Sequence, residues 1–230
     1  MNLELSDRLQ QIIDFIPKDT EKFAVIGSDH AYLPCAVCLS DPHVQAIAGE
    51  VNRGPYESAK SQVNKLNLDE RIDVRLGDGL EVVEANEVDT IVIAGMGGTL
   101  IRSILESKPE KLDGVNRLIL QPNIDAFSIR EFAVEYGYQI IAERIMNEDG
   151  YLYEIIVLEK SKEPYQLSEK EMYLGPILMK EKNDAFREKW RHVHTKKEKI
   201  IQQMKQAKCP DDEKIKLFER QKKYIEEELQ

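Results

Sequence analysis

The chain has 230 residues, 42% of them hydrophobic, which suits one large globular domain or a medium domain with an appendage. The sequence lacks any run of 18 or more apolar residues, so we expect no membrane span. Its N-terminus is amphipathic and acidic rather than basic and apolar, which argues against a secretion signal and favours a cytoplasmic protein.

The net charge of −10 is distributed unevenly along the chain. Residues 1–160 carry 15 Lys and Arg against 28 Asp and Glu, whereas residues 161–230 carry 17 against 14. Residues 187–208, called here the basic segment, contain eight basic residues and only two acidic ones. Such a segment either attracts polyanions or is the solvated face of a long helix, and the charge alone does not separate the two.

Cysteine and histidine give weak signals. Cys35 and Cys38 form a Cys-x-x-Cys pair, but no second pair follows and the third cysteine, Cys209, is distant. We therefore predict buried free thiols in a reducing compartment rather than a redox or zinc motif. The four histidines show no ligand spacing with cysteines or carboxylates, so we expect no metal site.

Apolar runs alternate with helical patterns over the first 160 residues. A helix is predicted over residues 3–16, ended by Pro17. The predicted strands are residues 23–26, 44–48, 72–76, 88–94, 118–120, 139–146 and 151–158. Helices are predicted at 31–39, 55–66, 99–105 and 129–136. This order predicts a doubly wound α/β sheet of seven strands, closed by an antiparallel pair, with its ligand loops at the carboxyl ends of the strands.

Those strand ends carry the unusual residues. Gly27 ends the first strand and opens through Ser28, Asp29 and His30 into a helix, as at nucleotide-like ligand sites. Glu50 follows the second strand, at the offset of about 20 residues where an acid can bind a ribose diol. Its alternative role is a surface or capping acid.

Two further strand ends extend this pattern. Asp78, between Gly77 and Gly79, is either a turn former or an acceptor for an adenine amine. The fourth strand runs through Ala94 into Gly95-Met96-Gly97-Gly98, which would complete the floor of the site.

The glycine pattern selects the cofactor. The turn reads GSDHAY and lacks the Gly-x-Gly-x-x-Gly pattern of nicotinamide enzymes, and GMGGTLIR lacks the lysine of a phosphate-binding loop. S-adenosylmethionine contains a ribose and an adenine but no phosphate. Gly27, Glu50 and Asp78 supply a glycine turn, an acid for the diol and an acceptor for the amine, so they predict this cofactor.

The sequence contains the segments IGSDHAYLP, IAGEV followed by Gly54-Pro55-Tyr56, GDGL, IAGMGG and LQPN. Through these segments, and over nearly its whole length, the chain resembles the bacterial tRNA (adenine(22)-N(1))-methyltransferases. The resemblance implies a class I, Rossmann-like methyltransferase domain, a C-terminal coiled-coil domain and methylation of N1 of an adenine in the D-arm region of tRNA. Relatives usually carry an acid at the position of Val25. Asp29 is the alternative contact for the methionine amino group.

The strand ends also agree with N1 as the acceptor. Methylation of an exocyclic amine typically needs an Asn or Asp before two prolines after the fourth strand, and this chain has Ala94-Gly95-Met96-Gly97 there. N1 carries an in-plane lone pair, so catalysis would depend on alignment and on nearby negative charge. Asp29 is the candidate for that charge, with a helix cap as its alternative. The amides of Gln121 and Asn123 are candidates to bind a base edge, or form only a turn, and Pro122 or Met96 would wall the pocket.

The C-terminal part is predicted to be a helical hairpin. After Leu174-Gly175-Pro176, apolar residues recur at spacings of four and three, and Cys209-Pro210-Asp211-Asp212 separates two such stretches. We therefore divide the chain into a cofactor domain, residues 1–160, and a coiled-coil domain, residues 161–230. The arm is either a stabilising or dimerising element or a clamp on tRNA phosphates. The clamp candidates are Arg187, Arg191, Lys196 and Lys197.

Three classes of function remain open from the sequence. A tRNA methyltransferase, the favoured one, would bind cofactor and tRNA and is expected to be a monomer. A methyltransferase of small molecules or proteins would ignore RNA. A noncatalytic adaptor on a degenerate cofactor fold would have no cofactor affinity.

Overall fold

A computed structural model describes residue 3 and residues 5–230. The described residues form a seven-stranded sheet of order β3-β2-β1-β4-β5-β7-β6. Its strands are β1 Lys22–Ile26, β2 Gln45–Glu50, β3 Ile72–Leu76, β4 Thr90–Gly97, β5 Arg117–Ile124, β6 Tyr138–Glu148 and β7 Tyr151–Lys160. The first five strands pair in parallel, and β5 pairs with β7 antiparallel. The predicted doubly wound α/β sheet is confirmed.

Helices follow the strands in the predicted alternation. They are α1 Asp7–Ile13, α2 Tyr32–Ser40, α3 Arg53–Lys65, α4 Gly98–Ser107, α5 Ala126–Glu135, α6 Glu169–Leu174, α7 Leu178–Glu181, α8 Asp184–Lys205 and α9 Asp212–Leu229. The first helix is shorter than the predicted 3–16, because Ser6 Oγ accepts the N–H of Leu9 and so sets its start. It ends at Ile13, four residues before Pro17.

The central strands are buried on both faces, as their continuous apolar runs predict. Ile91, Val92 and Ile93 of β4 are fully buried between helices that cross over on either side of the sheet. Burying each such side chain contributes about 1.5–3 kcal/mol relative to leaving it exposed. This core fixes the carboxyl ends of β1, β2, β3 and β4 beside one another.

An ion pair on the β3 side of the sheet fixes the loop before β4. Arg75 donates from Nη1 and Nη2 to the carboxylate of Glu87, both at 2.7 Å, and Lys22 Nζ donates to the same carboxylate at 2.9 Å. The hydrogen bonds from Arg75 hold the pKa of Glu87 at about 2.

The chain divides into two compact units. The first consists of Met1–Ala142 and Tyr153–Tyr165, and the second of Glu143–Leu152 and Gln166–Gln230. The second unit therefore includes the tip of the β6–β7 hairpin as well as the C-terminal helices, so its limits differ from a single cut after residue 160. Ile145 from that tip packs in one apolar cluster with side chains of the helices. The other buried members are Leu174, Leu178, Phe186, Trp190 and Ile225.

Helices α8 and α9 form an antiparallel hairpin. His194 pairs with Glu226 at 2.9 Å, and Lys205 pairs with Glu219 at 2.6 Å. A residue later in α8 therefore contacts a residue earlier in α9, as in an antiparallel pair. The buried seam of α8 contains Phe186, Trp190 and Ile201. Ile201 lies deeper in this seam than its neighbour Ile200, which is half-buried.

The cysteines are free thiols, two buried and one exposed. Burial raises the pKa of Cys35 to about 12 and that of Cys38 to about 11, so both stay protonated and unreactive at neutral pH. Cys209 is exposed, which differs from the predicted burial.

Metal-ligand clusters and membrane-spanning helices are both absent from residue 3 and residues 5–230. No group of three or more His, Cys, Asp or Glu side chains in this part of the chain could hold a metal ion. No helix within the same residues has the length and apolar character to cross a membrane.

Candidate active site

The turn after β1 has an unusual backbone. Gly27 has a φ of +71°, and Asp29, His30 and Ala31 follow with φ values of 44°, 61° and 61°. Left-handed backbone costs little at glycine but about 1–2 kcal/mol at other L-residues. The N–H groups of Gly27 and Ser28 donate to the carbonyl of Gly49 at 2.9 and 3.2 Å. These bonds hold the turn against the end of β2, and such local strain is typical of ligand sites.

Glu50 ends β2 as a buried carboxylate, only 6% exposed. The hydroxyl of Ser28 donates to its Oε1 at 2.7 Å, which links the ends of β1 and β2. The carbonyl of Glu50 accepts the N–H of Gly77 at 2.9 Å and so links β2 to the end of β3. The structure therefore brings Gly27 and Glu50 to one edge beside the loop that carries Asp78.

Asp78 follows β3 and is exposed at this edge. Its N–H donates to the carboxylate of Glu81 at 3.3 Å, which starts a single 3₁₀ turn over Gly79–Val82. Gly79 has a φ of +54°, and a Cβ atom there would lie 3.1 Å from the side chain of Ile104. Asp78 and Glu81 form a capping box in which the Asp78 side chain also faces the Glu81 N–H, so Asp78 is a turn former, and its exposed carboxylate retains lone pairs for a further donor.

Two amide side chains fix the loop between β4 and α4. Gln121 is fully buried, and its Oε1 accepts the Gly95 N–H at 3.1 Å and Arg8 Nη1 at 2.5 Å. Its Nε2 donates to Asn123 Oδ1 at 3.1 Å, and Asn123 Nδ2 donates to the Gly95 carbonyl at 2.8 Å. The two amides predicted to bind a base edge thus hold the backbone of Gly95, which adopts a φ of +78° that glycine accommodates readily. Pro122 is buried between them.

A cavity of about 230 Å³ opens over the ends of β1 and β4. Gly27, Ser28 and Asp29 form one wall, residues 94–96 form another, and Arg8 and Tyr32 line it from α1 and α2. Glu50, Asp78 and Gly79 lie beside this cavity at the ends of β2 and β3 rather than in its lining. A Cβ atom on Gly27 would come within 2.5 Å of Met96 Cε, the end of a flexible side chain that can shift, so the φ of +71° is the stronger reason for glycine at this position.

His30 lies on the outer side of the turn. Its ring centroid is 6.1 Å from that of Tyr32. His30 lines a neighbouring depression against α3 and not the cavity, whereas Tyr32 borders both. Asp29 lines the cavity with its side chain 88% exposed. The alternative that Asp29 caps the following helix is wrong, because Ala31 occupies the cap position of α2.

Sequence reasoning missed Arg8, Leu9 and Tyr32 as cavity residues. The amphipathic pattern of α1 predicted only packing, and the contact of Arg8 with Gln121 joins positions 113 residues apart. Tyr32 is the last residue of the GSDHAY motif, but the prediction from this motif covered only the residues of the glycine turn.

The basic segment presents its side chains in two environments. Arg191 and Lys196 are exposed and Arg187 is half-buried. Lys197 instead lies between the helices, with Nζ 3.9 Å from the ring centroid of Phe218 and 2.6 Å from Gln221 Oε1. Burial lowers the pKa of Lys197. Lys197, one of the four clamp candidates, therefore lies in the hairpin interface and not on an exposed face.

The site fits a nucleoside that carries no phosphate. A buried carboxylate suits a ribose diol, an exposed acid after β3 suits an adenine amine, and the cavity over β1 and β4 has room for a 5′ extension. The sheet order and this site define a class I S-adenosylmethionine-dependent methyltransferase.

Comparison with known proteins identifies the particular family. A family model for tRNA (adenine(22)-N(1))-methyltransferase matches residues 23–227. The chain belongs to this family. The tRNA (adenine(22)-N(1))-methyltransferase of Bacillus subtilis strain 168 is 47% identical over 222 residues, covering 94% of this chain and 92% of the relative.

Solved structures agree with this assignment. The crystal structure of the Bacillus subtilis m1A22 tRNA methyltransferase superposes with a TM-score of 0.93 at 43% identity, covering all of both chains. A Streptococcus pneumoniae relative, solved in complex with S-adenosyl-L-methionine, superposes with a TM-score of 0.87 at 37% identity, covering 99% of this chain and 100% of the other.

Proposed function

We propose that this chain transfers a methyl group from S-adenosylmethionine to N1 of adenine 22 in tRNA, using the strand-end residues described above. The observation that carries the residue assignment is the hydrogen-bonded junction of Ser28, Glu50 and Gly77, which joins the ends of β1, β2 and β3. Membership of the family supports the reaction and the tRNA substrate.

The nucleoside part of the cofactor is assigned to the ends of β2 and β3. Glu50 accepts hydrogen bonds from the ribose hydroxyls, and the Ser28 hydroxyl holds its carboxylate in place beforehand. Asp78 accepts the adenine amine, while the backbones of Gly27 and Gly79 allow close approach. His30 borders this site from the outer side of the turn.

The reacting part of the cofactor is assigned to the cavity floored by Ala94, Gly95 and Met96. Bound S-adenosylmethionine supplies an electrophilic methyl group, and the N1 lone pair forms the new N–C bond as the C–S electron pair returns to sulfur. Adenine N1 has no proton to lose, so this reaction requires no general base. The carboxylate of Asp29 stabilises the positive charge that develops on the methylated ring.

The target base must leave its helix to react. N1 lies on the pairing edge of adenine, so the base has to be unpaired before transfer. Met96 walls the pocket beside β4 and excludes water, whereas Pro122 is buried and is not among the residues that line the cavity. Gln121 and Asn123 act mainly by holding the Gly95 loop, and the exposed Asn123 amide borders the path by which the base approaches.

The basic segment is assigned to the tRNA backbone. Arg187, Arg191 and Lys196 contact phosphates, which releases counterions and makes binding salt-dependent. Lys197 stabilises the α8–α9 hairpin through Phe218 and Gln221. The hairpin buries its apolar seam within one chain, which supports a monomer. The three free thiols support a cytoplasmic location.

The function is tested by incubating the protein with radiolabelled S-adenosylmethionine and unmodified bulk tRNA, followed by nucleoside analysis. Labelled 1-methyladenosine is the expected product. Cofactor binding without label in tRNA would contradict the assignment and favour a different methyl acceptor. Absence of cofactor affinity would favour a noncatalytic adaptor.

A further inference from the structure

Three large apolar side chains are exposed where β5 passes into α5, beside the start of α4. Ile124 is 73% exposed, Leu100 53% and Phe127 36%. The hydroxyl of Thr99 donates to the carboxylate of Asp125 at 2.6 Å, which joins the residue before Leu100 to the residue after Ile124. Apolar side chains exposed together at one place on a surface indicate contact with another molecule. We call these three side chains the apolar tip.

The apolar tip continues the wall of the cavity. Met96, which lines the cavity, pairs with Pro122, and the next pair between the same two strands is Gly97 with Ile124. A Cβ atom on Gly97 would lie 3.8 Å from the Ile124 side chain, so this side chain lies against the backbone that leaves the cavity. Ile124 therefore stands at the rim of the cavity, on the β4–β5 side.

The backbone holds the apolar tip in a fixed position. Ile124 belongs to β5, and Asp125 after it has a φ of +61°. The hydroxyls of Thr99 and Ser128 both donate to Asp125 Oδ2 at 2.6 Å, which ties the starts of α4 and α5 to this turn. The charged group of this junction is thus an anion. It disfavours a phosphate at this point, whereas the uncharged face of a base is compatible with it.

The proposed reaction leaves a gap in the substrate that such a tip can fill. N1 lies on the pairing edge of adenine, so the target base has to leave its helix, which costs stacking and pairing energy. Proteins that separate stacked bases commonly insert an apolar wedge such as Ile, Leu or Phe between them. A wedge at the rim of the cavity would enter the helix at the position that the target base has left.

We propose that Ile124 inserts into the gap that adenine 22 leaves in the tRNA helix, with Leu100 and Phe127 packing beside it on the neighbouring bases. Ile124 is then a positioning residue: it keeps the displaced adenine from returning to its stack while N1 faces the methyl group. This inference rests on the proposed function, and it names the contact that separates the target base from its neighbours.

The test varies the cost of displacing adenine 22. Methylation is measured as kcat/KM on two tRNA transcripts, which carry either a uridine or an abasic nucleotide opposite adenine 22. Ile124→Ala removes the inserted side chain, and Ile124→Leu keeps its bulk. Leu39→Ala, at another exposed apolar position near the C-terminal end of α2, is the control.

We expect Ile124→Ala to lower kcat/KM on the uridine transcript roughly 5- to 100-fold, the range for one lost stacking contact with a base. On the abasic transcript the loss should stay below about threefold, because adenine 22 has no partner to leave. Ile124→Leu and Leu39→Ala should stay within about threefold of the wild type on both transcripts. Ile124 is mostly in solvent, so its variants should melt within about 2 °C of the wild type.

Three results would overturn the inference. Equal losses on the two transcripts would mean that Ile124 only supports the loop beside the cavity, and unchanged kcat/KM on the uridine transcript would mean that it does not enter the helix. A wild-type dimer that Ile124→Ala dissociates, seen by sedimentation, would mean that the apolar tip is a protein interface. A wild-type protein that methylates neither transcript would instead refute the proposed function itself.

Discussion

Replacement of Glu50 by glutamine tests the cofactor assignment with little structural disturbance. Glutamine has nearly the same shape, and its carbonyl oxygen can still accept the Ser28 hydroxyl that donates at 2.7 Å in the wild type. One carboxylate oxygen becomes an NH₂ group, so one of two charge-assisted bonds to the ribose diol is lost. Such a bond contributes about 1.5–3 kcal/mol. Cofactor affinity should therefore fall roughly 10- to 150-fold.

Stability should respond in the opposite direction. Glu50 is 6% exposed, and glutamine removes the cost of desolvating a charge at that position. We expect the melting temperature of Glu50→Gln without ligand to match or exceed that of the wild type, measured by calorimetry beside titration with S-adenosylhomocysteine. Glu70→Gln, an exposed change before β3, is the control for charge. A wild-type affinity for S-adenosylhomocysteine in Glu50→Gln would contradict the assignment of Glu50 to the ribose. A loss of affinity that is explained by a lower melting temperature would contradict it as well.

The basic segment, one ion pair and one glycine provide further tests. Lys196→Gln should weaken tRNA binding and reduce its salt slope by about 1, whereas Lys197→Met should leave the slope unchanged and lower the melting temperature; equal slopes would contradict this. The folded pKa of Glu87, about 2, lies below its ordinary value near 4.5, so its stabilisation is present above pH 4.5 and is lost as the pH falls toward 2. Glu87→Gln should flatten the fall in melting temperature between pH 5 and pH 3, and parallel curves would exclude this role. A Cβ atom on Gly98 would lie 1.9 Å from a backbone carbonyl oxygen, so Gly98→Ala should cost about 1–3 kcal/mol or more, whereas Gly97→Ala should be nearly neutral. Equal melting temperatures for the two alanine variants would contradict the steric argument.

The sheet could be predicted from the sequence because its signals are local. Each apolar run is long enough to mark a strand, and Gly27 and Glu50 stand directly at strand ends. The hydrophobic pattern does not mark the ends of β4 and β5. The predicted β5 stopped at Leu120, whereas pairing with β4 carries the strand through Gln121 to Ile124. Pairing between strands, rather than hydrophobicity, sets this boundary.

The remaining parts depend on contacts between distant positions. Arg8 meets Gln121 only after the chain has folded, so the pattern of α1 could not assign it to the cavity. Lys197 belongs to the basic segment by sequence, but its packing against Phe218 places it between the helices, and charge alone could not show this. Helices α6 and α7 have six and four residues, too few for a periodic signal.

The central claim is that this chain methylates one adenine of tRNA at N1. The most direct measurement uses two tRNA transcripts that differ at position 22, adenine in one and guanine in the other. After incubation with protein and S-adenosylmethionine, reverse transcription is stopped by a methyl group on N1. We expect a stop at position 22 in the adenine transcript and none in the guanine transcript. A stop at another position, or equal methylation of both transcripts, would contradict it.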